Sequence, residues 1–388
     1  MLSAPPSVPL PPVALVHDYL TQRGGAERVA LVMARAFPDA PLYTSLYEPT
    51  LTFPEFGDVD VRTLPLDRLG VLRRHHRLAF PLLAPCFSRQ RIDAPVTLCS
   101  TSGWSHGVRA TQRKIVLCYA PARWLYQPDR YLGVASSADT NAEKLRRMAA
   151  AIALRTMGPS LRRWDRQVAS GADCYLATSS AVAAMVRDAY GIEAPILHPP
   201  PALTAGGTER EVAGIEPGYL LCVSRLLPYK NVDKIVEAAT RHPGFRLVVV
   251  GDGPERQALL RRATSSTRFL GVVDDPTLRW LYRNCRALVA ASYEDYGLTP
   301  LEAASFGRPS IVLRAGGFLD TVDEGRTGLF FDRATAEDVQ RAVTEFDGCR
   351  WSEEAITRHA DRFSEETFVA QLRRLVQEWL PSRGVVTT

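Results

Sequence analysis

Two glutamates eight residues apart, Glu294 and Glu302, flank a Tyr-Gly turn in the segment ASYEDYGLTPLEAASFGRPSIV, residues 291–312. Carboxylates are hydrogen-bond acceptors suited to the vicinal hydroxyls of a sugar or a ribose. A structural alternative exists, because TPLE at 299–302 is typical of a capping box, with Thr299 as N-cap and proline at the first helical position. On that alternative Glu294 is a solvated loop acid. Glu294 lies too far back along the chain to cap the helix, so we interpret it as a ligand-binding group; Glu302 can begin the helix and still present an oxygen to a ribose.

Two cations stand at a comparable place earlier in the chain. The segment VSRLLPYKN puts Arg225 and Lys230 directly after a predicted strand and before a helix. Cations beside the free amides of a helix start provide what a diphosphate needs, whereas the alternative is two unrelated surface charges. The segment GDGPERQ resembles a dinucleotide fingerprint through Gly251 and Gly253, but Arg256 occupies its third glycine position. An arginine at this position of the fingerprint disfavours a dinucleotide-binding oxidoreductase.

A pair of glycines, Gly316 and Gly317, precedes a further helix start in RAGGFLDTV. Successive strand ends therefore offer cations, carboxylates and bare backbone amides. Cations and amides hold phosphates, and carboxylates hold hydroxyls. The combination fits a nucleotide sugar better than it fits either component alone.

These groups must be positioned by a regular succession of strands and helices. Short apolar runs alternate with helical patterns throughout, most clearly after residue 218, and the longest predicted helix is 141–170. Such alternation predicts an α/β fold with parallel, doubly wound sheets, whose ligands lie beyond the carboxyl ends of the strands. We expect an N-terminal Rossmann-like domain at 1–200, a C-terminal Rossmann-like domain at 201–362, and a helix within 363–388 that returns towards the first domain.

Composition limits the class of protein. The chain has 388 residues, of which 46% are hydrophobic and 23% charged, enough for two globular domains. Its seven cysteines form no C-x-x-C pair, which predicts reduced core thiols and neither a disulfide framework nor a metal site. The proline-rich start MLSAPPSVPLPP has neither a basic region nor an apolar core. We expect a cytoplasmic protein without a signal or an anchor.

The formal charge of +5 is distributed unevenly. One basic segment lies between residues 62 and 91 and is interleaved with Leu, Phe and Pro; a second runs from Lys144 to Arg166. Amphipathic basic segments of this kind can lie on an anionic membrane surface. The alternative is a solvated helix face. No nucleic-acid-binding module accompanies the charge, so no nucleic acid is expected as a partner.

The order of motifs in the second half resembles family 4 (group 1) retaining glycosyltransferases of the GT-B fold. The pattern is S-R-L with a lysine five residues after the arginine, then G-x-G-P-E, then E-x-x-G-L-x-x-L-E-A, then G-x-P and a G-G before a helix. HDYLTQRGGAERV, APARWLY and YGIEAPILHPP in the first half are similar to the bacterial polysaccharide and mannosyltransferase branch of that family. The resemblance implies two Rossmann-like domains that face each other across a cleft.

The resemblance also implies roles for single residues. Arg225 and Lys230 are expected to bind the diphosphate and to stabilise the departing nucleoside diphosphate in place of a metal ion. Glu294 is expected to contact the donor sugar and Glu302 its ribose. A larger set is expected to surround the same donor: Gly24, Gly25, Val273, Gly297, Leu298 and Thr299, with His106 near the transferred sugar and Gly316 and Gly317 as weaker candidates.

One departure concerns the acceptor side. Relatives in this branch often carry a histidine in a Tyr-Cys-His-Thr-Pro motif, whereas this chain has Tyr119 at the histidine position. The implied function is a retaining, metal-independent transfer of a sugar from a nucleotide diphosphate sugar to a hydroxyl of a glycan, glycolipid or natural product. A GDP-mannose-like donor is favoured over UDP- or dTDP-linked sugars. No further cofactor is expected, and the acceptor is either lipid-linked at the inner face of the cell membrane or soluble. Two alternatives remain, a nucleotide-sugar 2-epimerase of the same fold and a non-catalytic sugar-nucleotide or glycan-binding protein.

Overall fold

The computed structural model describes residues 12–127, 141–242 and 244–380. The predicted loose lead-in at residues 1–11 lies outside these ranges. The chain forms two compact units: the first takes its described residues from 1–178, 182–198 and 368–388, and the second from 179–181 and 199–367.

The first unit contains eight strands and six helices in its first part of the chain. They are β1 Val13–His17, α1 Gly25–Ala36, β2 Leu42–Thr44, β3 Val61–Thr63, α2 Gly70–Arg74, α3 Phe80–Arg89, β4 Arg91–Ile92, β5 Val96–Thr101, β6 Arg109–Ala110, β7 Arg113–Cys118, α4 Arg123–Tyr126, α5 Asn141–Ser170, β8 Cys174–Ala177 and α6 Ser180–Tyr190, as far as the structure describes this part. Six of the strands form a parallel sheet in the order β3-β2-β1-β5-β7-β8. A second, two-stranded sheet pairs β4 with β6.

The second unit also alternates strands and helices. Its elements, followed by the last helix of the described chain, are β9 Tyr219–Val223, α7 Val232–Arg241, β10 Leu247–Val250, α8 Arg256–Arg262, β11 Thr267–Gly271, α9 Asp275–Asn284, β12 Cys285–Ala290, α10 Leu298–Ser305, β13 Ser310–Leu313, α11 Phe318–Thr321, β14 Gly328–Phe331, α12 Ala336–Asp347, α13 Glu353–Asp361 and α14 Glu365–Glu378. The strands of this unit form a parallel sheet in the order β11-β10-β9-β12-β13-β14.

The apolar runs of the sequence become strands because helices cover both faces of each sheet. Every residue of β1 and of β5 is buried, as expected for parallel strands that need no polar face. The covering helices carry apolar stripes instead: α7 buries Val232, Ile235, Val236 and Ala239 along one side. Each unit therefore has its own core.

The last helix contributes to the core of the first unit. Phe368, Leu372 and Val376 of α14 are spaced one helical turn apart and pack in the cluster that contains Val13 and Leu42. Burial of side chains of this size stabilises a fold by roughly 1.5–3 kcal/mol each.

All seven cysteines are free thiols, and Cys349 is the exposed one. Within the described ranges, no helix combines the length and the apolar character that crossing a membrane requires.

Candidate functional site

The sheet of the second unit gathers the predicted groups at one edge. β9 lies between β10 and β12, and these strands run parallel. The segments 224–231, 251–255 and 291–297 therefore leave the sheet at the same end, as does 314–317 after β13. Ligands of doubly wound sheets bind at this end. Arg225, Lys230 and Glu294 lie in these segments.

Lys230 and Glu294 form an ion pair. The Lys230 side chain lies in a single 3-10 turn, Pro228–Lys230, and the residue is 9% exposed. Its Nζ lies 2.5 Å from Oε1 of Glu294, and the hydroxyl of Ser292 donates to the same oxygen at 2.5 Å. Glu294 is thus not a solvated loop acid. The predicted phosphate-binding cation and the predicted sugar-binding carboxylate neutralise each other in this structure.

Asn231, which the sequence reasoning did not single out, fixes this lysine from the next position. Its backbone is left-handed, with φ of 51°, and within the described ranges no other residue besides glycine has a positive φ. Its side-chain amide donates to the carbonyl of Ala291 at 2.9 Å. Asparagine tolerates this conformation better than most residues do, and strained backbone of this kind often lies at functional sites. The segment after β9 is thereby tied to the segment after β12.

Arg225 has a different environment from Lys230. Its guanidinium donates to the hydroxyl of Tyr229 at 3.1 Å, and Nζ of Lys230 lies 5.2 Å from the centroid of the Tyr229 ring. Among the described residues, no carboxylate forms an ion pair with Arg225. The site thus offers one cation that is paired and one that is not.

The predicted capping box at 299–302 is wrong. Helix α10 begins at Leu298, so Thr299 lies inside it, and the N-cap is Gly297, which has φ of 84° and supplies no side-chain hydrogen bond. Glu302 is mostly buried, and its Oε2 accepts a hydrogen bond of 2.7 Å from the hydroxyl of Tyr282. Glu302 is therefore held by a side chain of the preceding helix, α9.

The glycines near this edge permit close backbone packing. A Cβ on Gly251 would lie 1.9 Å from the carbonyl oxygen of Ser224, and one on Gly253 would lie 2.4 Å from that of Leu226. The segment that follows β10 thus packs directly on the segment that carries Arg225. This contact explains the incomplete dinucleotide fingerprint without a ligand.

Gly316 and Gly317 are explained in the same way. A Cβ on Gly316 would lie 2.1 Å from the carbonyl oxygen of Glu294, and the N–H of Gly317 donates to that oxygen at 2.8 Å. These glycines therefore hold the backbone of Glu294 in place. Val273, expected near the donor, is half-buried after β11, while its neighbour Val272 is 80% exposed.

The first unit places Gly24 and Gly25 at the start of α1, with Gly24 as the N-cap. The carboxylate of Glu27 fills the space beside Gly24, where a Cβ would lie 2.5 Å from Oε2. Gln22 donates to Oε1 at 2.9 Å, whereas the buried Oε2 has no hydrogen-bond partner. Burial raises the pKa of Glu27 to about 7, against the opposing effects of the Gln22 hydrogen bond and of nearby backbone N–H groups.

This pKa predicts how pH affects the stability of the chain. Between the ordinary value of 4.5 and about 7, the folded protein retains a proton that the unfolded chain has lost. Stability must therefore fall as pH rises through this window, by at most about 3 kcal/mol. Glu27→Gln, which stays neutral, is expected to match the wild type in urea denaturation at pH 4.5 and to exceed its midpoint at pH 8. The exposed Glu193→Gln serves as the control; equal midpoint differences at both pH values for Glu27→Gln would contradict the assignment.

His106 belongs to the core of the first unit, which corrects its expected place near the transferred sugar. Its side chain is fully buried, Nε2 lies 3.0 Å from Oδ1 of Asp165, and Nδ1 lies 3.0 Å from the hydroxyl of Tyr175. The edge of the ring also contacts Trp164. A side chain enclosed on all sides cannot touch a sugar in this conformation.

Tyr119, at the position where the family resemblance implied a histidine, lies after β7 at the carboxyl end of the first sheet. Its hydroxyl lies 2.7 Å from the hydroxyl of Ser100 and donates to the carbonyl of Ala26 at 3.4 Å. His17 Nδ1 lies 2.9 Å from the same Ser100 hydroxyl. Burial raises the pKa of Tyr119, so this residue stays a neutral phenol that joins two strands to the start of α1.

Comparison with known protein families finds a match for most of the second unit. Residues 208–363 match the family described as Glycosyl transferases group 1. This segment belongs to that family. The resemblance seen in the sequence is thus confirmed, and the group 1 domain contains Arg225, Lys230, Glu294 and Glu302.

Curated relatives match part of the chain. The chain is 35% identical over 156 residues to the glycogen synthase of Thermus thermophilus, which is 38% of this chain and 36% of that protein. It is 28% identical over 216 residues to the GDP-mannose-dependent alpha-(1-6)-phosphatidylinositol monomannoside mannosyltransferase of Mycolicibacterium smegmatis, which is 48% of this chain and 56% of that protein. The chain thus spans about a third to a half of the length of these relatives.

Solved structures match over nearly the whole chain. A sucrose-phosphate synthase from Thermosynechococcus elongatus has a TM-score of 0.66 at 16% identity and covers 95% of this chain and 98% of its own. Anabaena Alr3699/HepE in complex with UDP-glucose has a TM-score of 0.64 at 16% identity, with 94% and 99% covered. The predicted GT-B fold with two Rossmann-like domains is thereby confirmed.

Proposed function

We propose that this protein is a retaining glycosyltransferase that moves a sugar from a nucleotide diphosphate sugar to an acceptor hydroxyl without a metal ion. The observation that carries the proposal is the group of Arg225, Lys230 and Glu294 at the strand ends of a group 1 domain. In this proposal the two cations hold the diphosphate, Glu294 holds the sugar, and Glu302 holds the ribose.

The ion pair between Lys230 and Glu294 has a defined part in the proposed reaction. Both side chains are already ordered and largely removed from water, so donor binding exchanges one set of partners for another. Lys230 turns its charge to the diphosphate, and Glu294 accepts hydrogen bonds from sugar hydroxyls. As the anomeric C–O bond breaks, negative charge builds on the departing diphosphate. A cation fixed at that place stabilises the transition state more than the ground state.

We further propose a GDP-mannose-like donor and a glycan, glycolipid or natural-product acceptor in polysaccharide biosynthesis. The GDP-mannose-dependent mannosyltransferase among the relatives supports this donor. The Anabaena structure in complex with UDP-glucose supports a UDP-linked sugar as the alternative donor. The test is to incubate the protein with GDP-, UDP- and dTDP-linked sugars and an acceptor. Transfer to the acceptor is expected. Conversion of a donor into its epimer, or binding without turnover, would instead favour the 2-epimerase or the binding protein.

Tyr282 provides a prediction about ribose recognition. Tyr282→Phe removes the hydrogen bond that orients Glu302, and a hydrogen bond to a charged group contributes about 1.5–3 kcal/mol. We expect the donor KM to rise roughly tenfold while kcat changes little. Tyr219→Phe is the matched control, because its buried hydroxyl donates to the carbonyl of Leu281 at 2.8 Å and not to Glu302. An equal rise of KM in both variants would mean that Tyr282 acts only on stability.

We propose that the protein is cytoplasmic and lies peripherally on the membrane. One surface of the first unit supports this proposal. The segment predicted as basic and amphipathic forms a 3-10 turn at Pro65–Arg68, then α2, a second 3-10 turn and α3. It exposes the apolar side chains Leu69, Val71 and Leu78 beside Arg68 and Arg74. Apolar side chains next to cations are typical of helices that lie in an anionic interface.

The second basic segment supports a membrane role less. Arg162 donates to the carbonyl of Leu125 at 2.8 Å, and Arg166 donates to that of Ala189 at 3.0 Å. Both guanidinium groups therefore serve contacts within the unit. The side chains at 141–147 lie outside the described residues.

The membrane proposal predicts a salt-sensitive loss of binding in one variant. Arg68→Glu/Arg74→Glu is expected to reduce partition onto vesicles containing phosphatidylglycerol at least tenfold, since each cation near such a surface contributes about 1 kcal/mol. Cosedimentation measures the partition. Arg261→Glu/Arg268→Glu changes the same charge in the second unit and should bind as before. Equal losses in both double variants would reduce the effect to net charge.

A further inference from the structure

Two recesses adjoin on the first unit, between α3 and α5. Each has a volume of about 480 Å³, and both are lined by Ser88 of α3 and Trp164 of α5. The indole N–H of Trp164 donates to the Ser88 hydroxyl at 2.7 Å, which fixes the shared wall. Gly107 makes room for this wall, because a Cβ there would lie 2.6 Å from the indole ring. We call the two recesses together the α3–α5 groove.

One end of the α3–α5 groove is polar and carries two cations, Arg109 and Lys114. Lys114 is 7% exposed, and its Nζ donates to the carbonyls of His106 at 3.0 Å, Val168 at 3.4 Å and Val108 at 3.5 Å. Carbonyl oxygens satisfy its hydrogen bonds but do not neutralise its charge. Burial accordingly lowers the pKa of Lys114.

One acid near this end, Asp173, is shared between two cations. Its carboxylate accepts from the Arg113 guanidinium at 2.7 Å and from the backbone N–H of Lys114 at 2.8 Å, and its charge also acts on the Lys114 side chain. One carboxylate does not balance Arg113, Lys114 and Arg109 together. Arg109 is exposed and forms no ion pair with a described carboxylate. Among the residues that the structure describes, no acidic one lines either recess. The polar end is therefore complementary to an anion.

The other end of the α3–α5 groove is apolar. Ala84 and Pro85 of α3 face Met157 and Leu161 of α5, with the Trp164 ring between this end and the cations. Met157 is 37% exposed. Its flexible thioether side chain suits an irregular apolar guest.

The groove is separate from the strand ends where the reaction is proposed. Lys114 is the second residue of β7, whereas Tyr119 directly follows that strand at its carboxyl end. A strand rises about 3.3 Å per residue, which puts the two positions roughly 16 Å apart. The groove therefore opens at the amino end of the sheet.

We propose that the α3–α5 groove binds one anionic amphiphile, with a phosphate head bound by Arg109 and attracted by the buried charge of Lys114, and an alkyl chain along Met157 and Leu161. The charge of one end and the apolar lining of the other select this class over a sugar or a free anion. A membrane phospholipid is the occupant that we favour, because α3 also follows directly on the segment that exposes Leu78. The proposal does not depend on glycosyl transfer.

Isothermal titration calorimetry of the full chain with dihexanoyl phosphatidylglycerol, kept below its micelle concentration, tests the proposal. Saturable binding is expected, with dihexanoyl phosphatidylcholine and inorganic phosphate each at least about tenfold weaker, since each lacks one of the two recognised parts. Arg109→Glu and Met157→Asp are each expected to weaken binding by a similar factor. Arg268→Glu and Leu260→Asp change equally exposed residues in the second unit and should have no effect.

Three results would overturn the proposal. Equal binding of the two short-chain lipids would remove the anionic head from the argument. Equal losses in Met157→Asp and Leu260→Asp would show nonspecific binding. Loss of binding in Arg68→Glu/Arg74→Glu, with Arg109→Glu unaffected, would move the lipid site to the exposed surface of α2. Circular dichroism of each variant establishes that it is folded.

Discussion

Replacement of Lys230 by alanine is expected to lower turnover roughly 100- to 1000-fold, the usual cost of losing one preorganised group that stabilises charge in a transition state. The expected loss is large because Nζ is already fixed, 2.5 Å from the Glu294 carboxylate, before the donor arrives. Arg225→Ala is expected to fall in the same range, since its guanidinium is the second cation at this edge. The turnover of both variants is measured by steady-state kinetics with the nucleotide sugar that the wild-type protein uses among the GDP-, UDP- and dTDP-linked sugars.

Lys230 is buried, so its variants need a control for stability. Lys230→Met keeps most of the side-chain volume while it removes the charge, and it should lose as much turnover as the alanine variant. Lys234→Ala, on the exposed part of α7, removes a nearby cation whose partners are Asp233 and Glu237. Near-wild-type turnover in Lys230→Met and Arg225→Ala would refute the assignment of these cations.

Gly251→Ala has the largest expected effect on stability. Its φ of 126° is rarely adopted by residues with a side chain, and the new Cβ would lie 1.9 Å from the carbonyl oxygen of Ser224. Backbone strain and overpacking together cost about 2–5 kcal/mol. Because the contacted segment carries Arg225, donor binding should weaken even where the protein stays folded.

A second glycine separates the two causes. Gly244 also has a positive φ, of 86°, but no atom lies within 4 Å of a Cβ placed there. Gly244→Ala is therefore expected to lose only about 1–2 kcal/mol in chemical denaturation. Similar losses in both variants would show that the contact between residues 251 and 224 does not constrain the fold.

Much of the fold could be predicted because buried parallel strands consist of consecutive apolar residues, a pattern that is visible in the sequence. The apolar segments Val13–His17, Val96–Thr101 and Tyr219–Val223 form β1, β5 and β9, and the GT-B fold expected from the motifs was confirmed. The three-residue strands Leu42–Thr44 and Val61–Thr63 were missed, since so short a segment has no period to recognise. Helix α10 begins two residues earlier than the capping box predicted, because its N-cap is Gly297 and not Thr299.

The candidate site was predictable in its residues and less so in their partners. Arg225, Lys230 and Glu294 meet because each follows a parallel strand, which the alternation of elements predicts. The ion pair joins residues 64 positions apart and could not be seen in local spacing. The burial of His106 against Asp165, and that of Glu302 against Tyr282, likewise depend on packing between distant segments.

The most direct test of the central claim is a crystal structure of the protein with the nucleotide sugar that it turns over. We expect both phosphorus atoms beside Arg225 and Lys230, with Nζ of Lys230 withdrawn from Glu294 and the Glu294 carboxylate on a sugar hydroxyl. A diphosphate bound away from both cations, with the ion pair between Lys230 and Glu294 intact, would contradict the account.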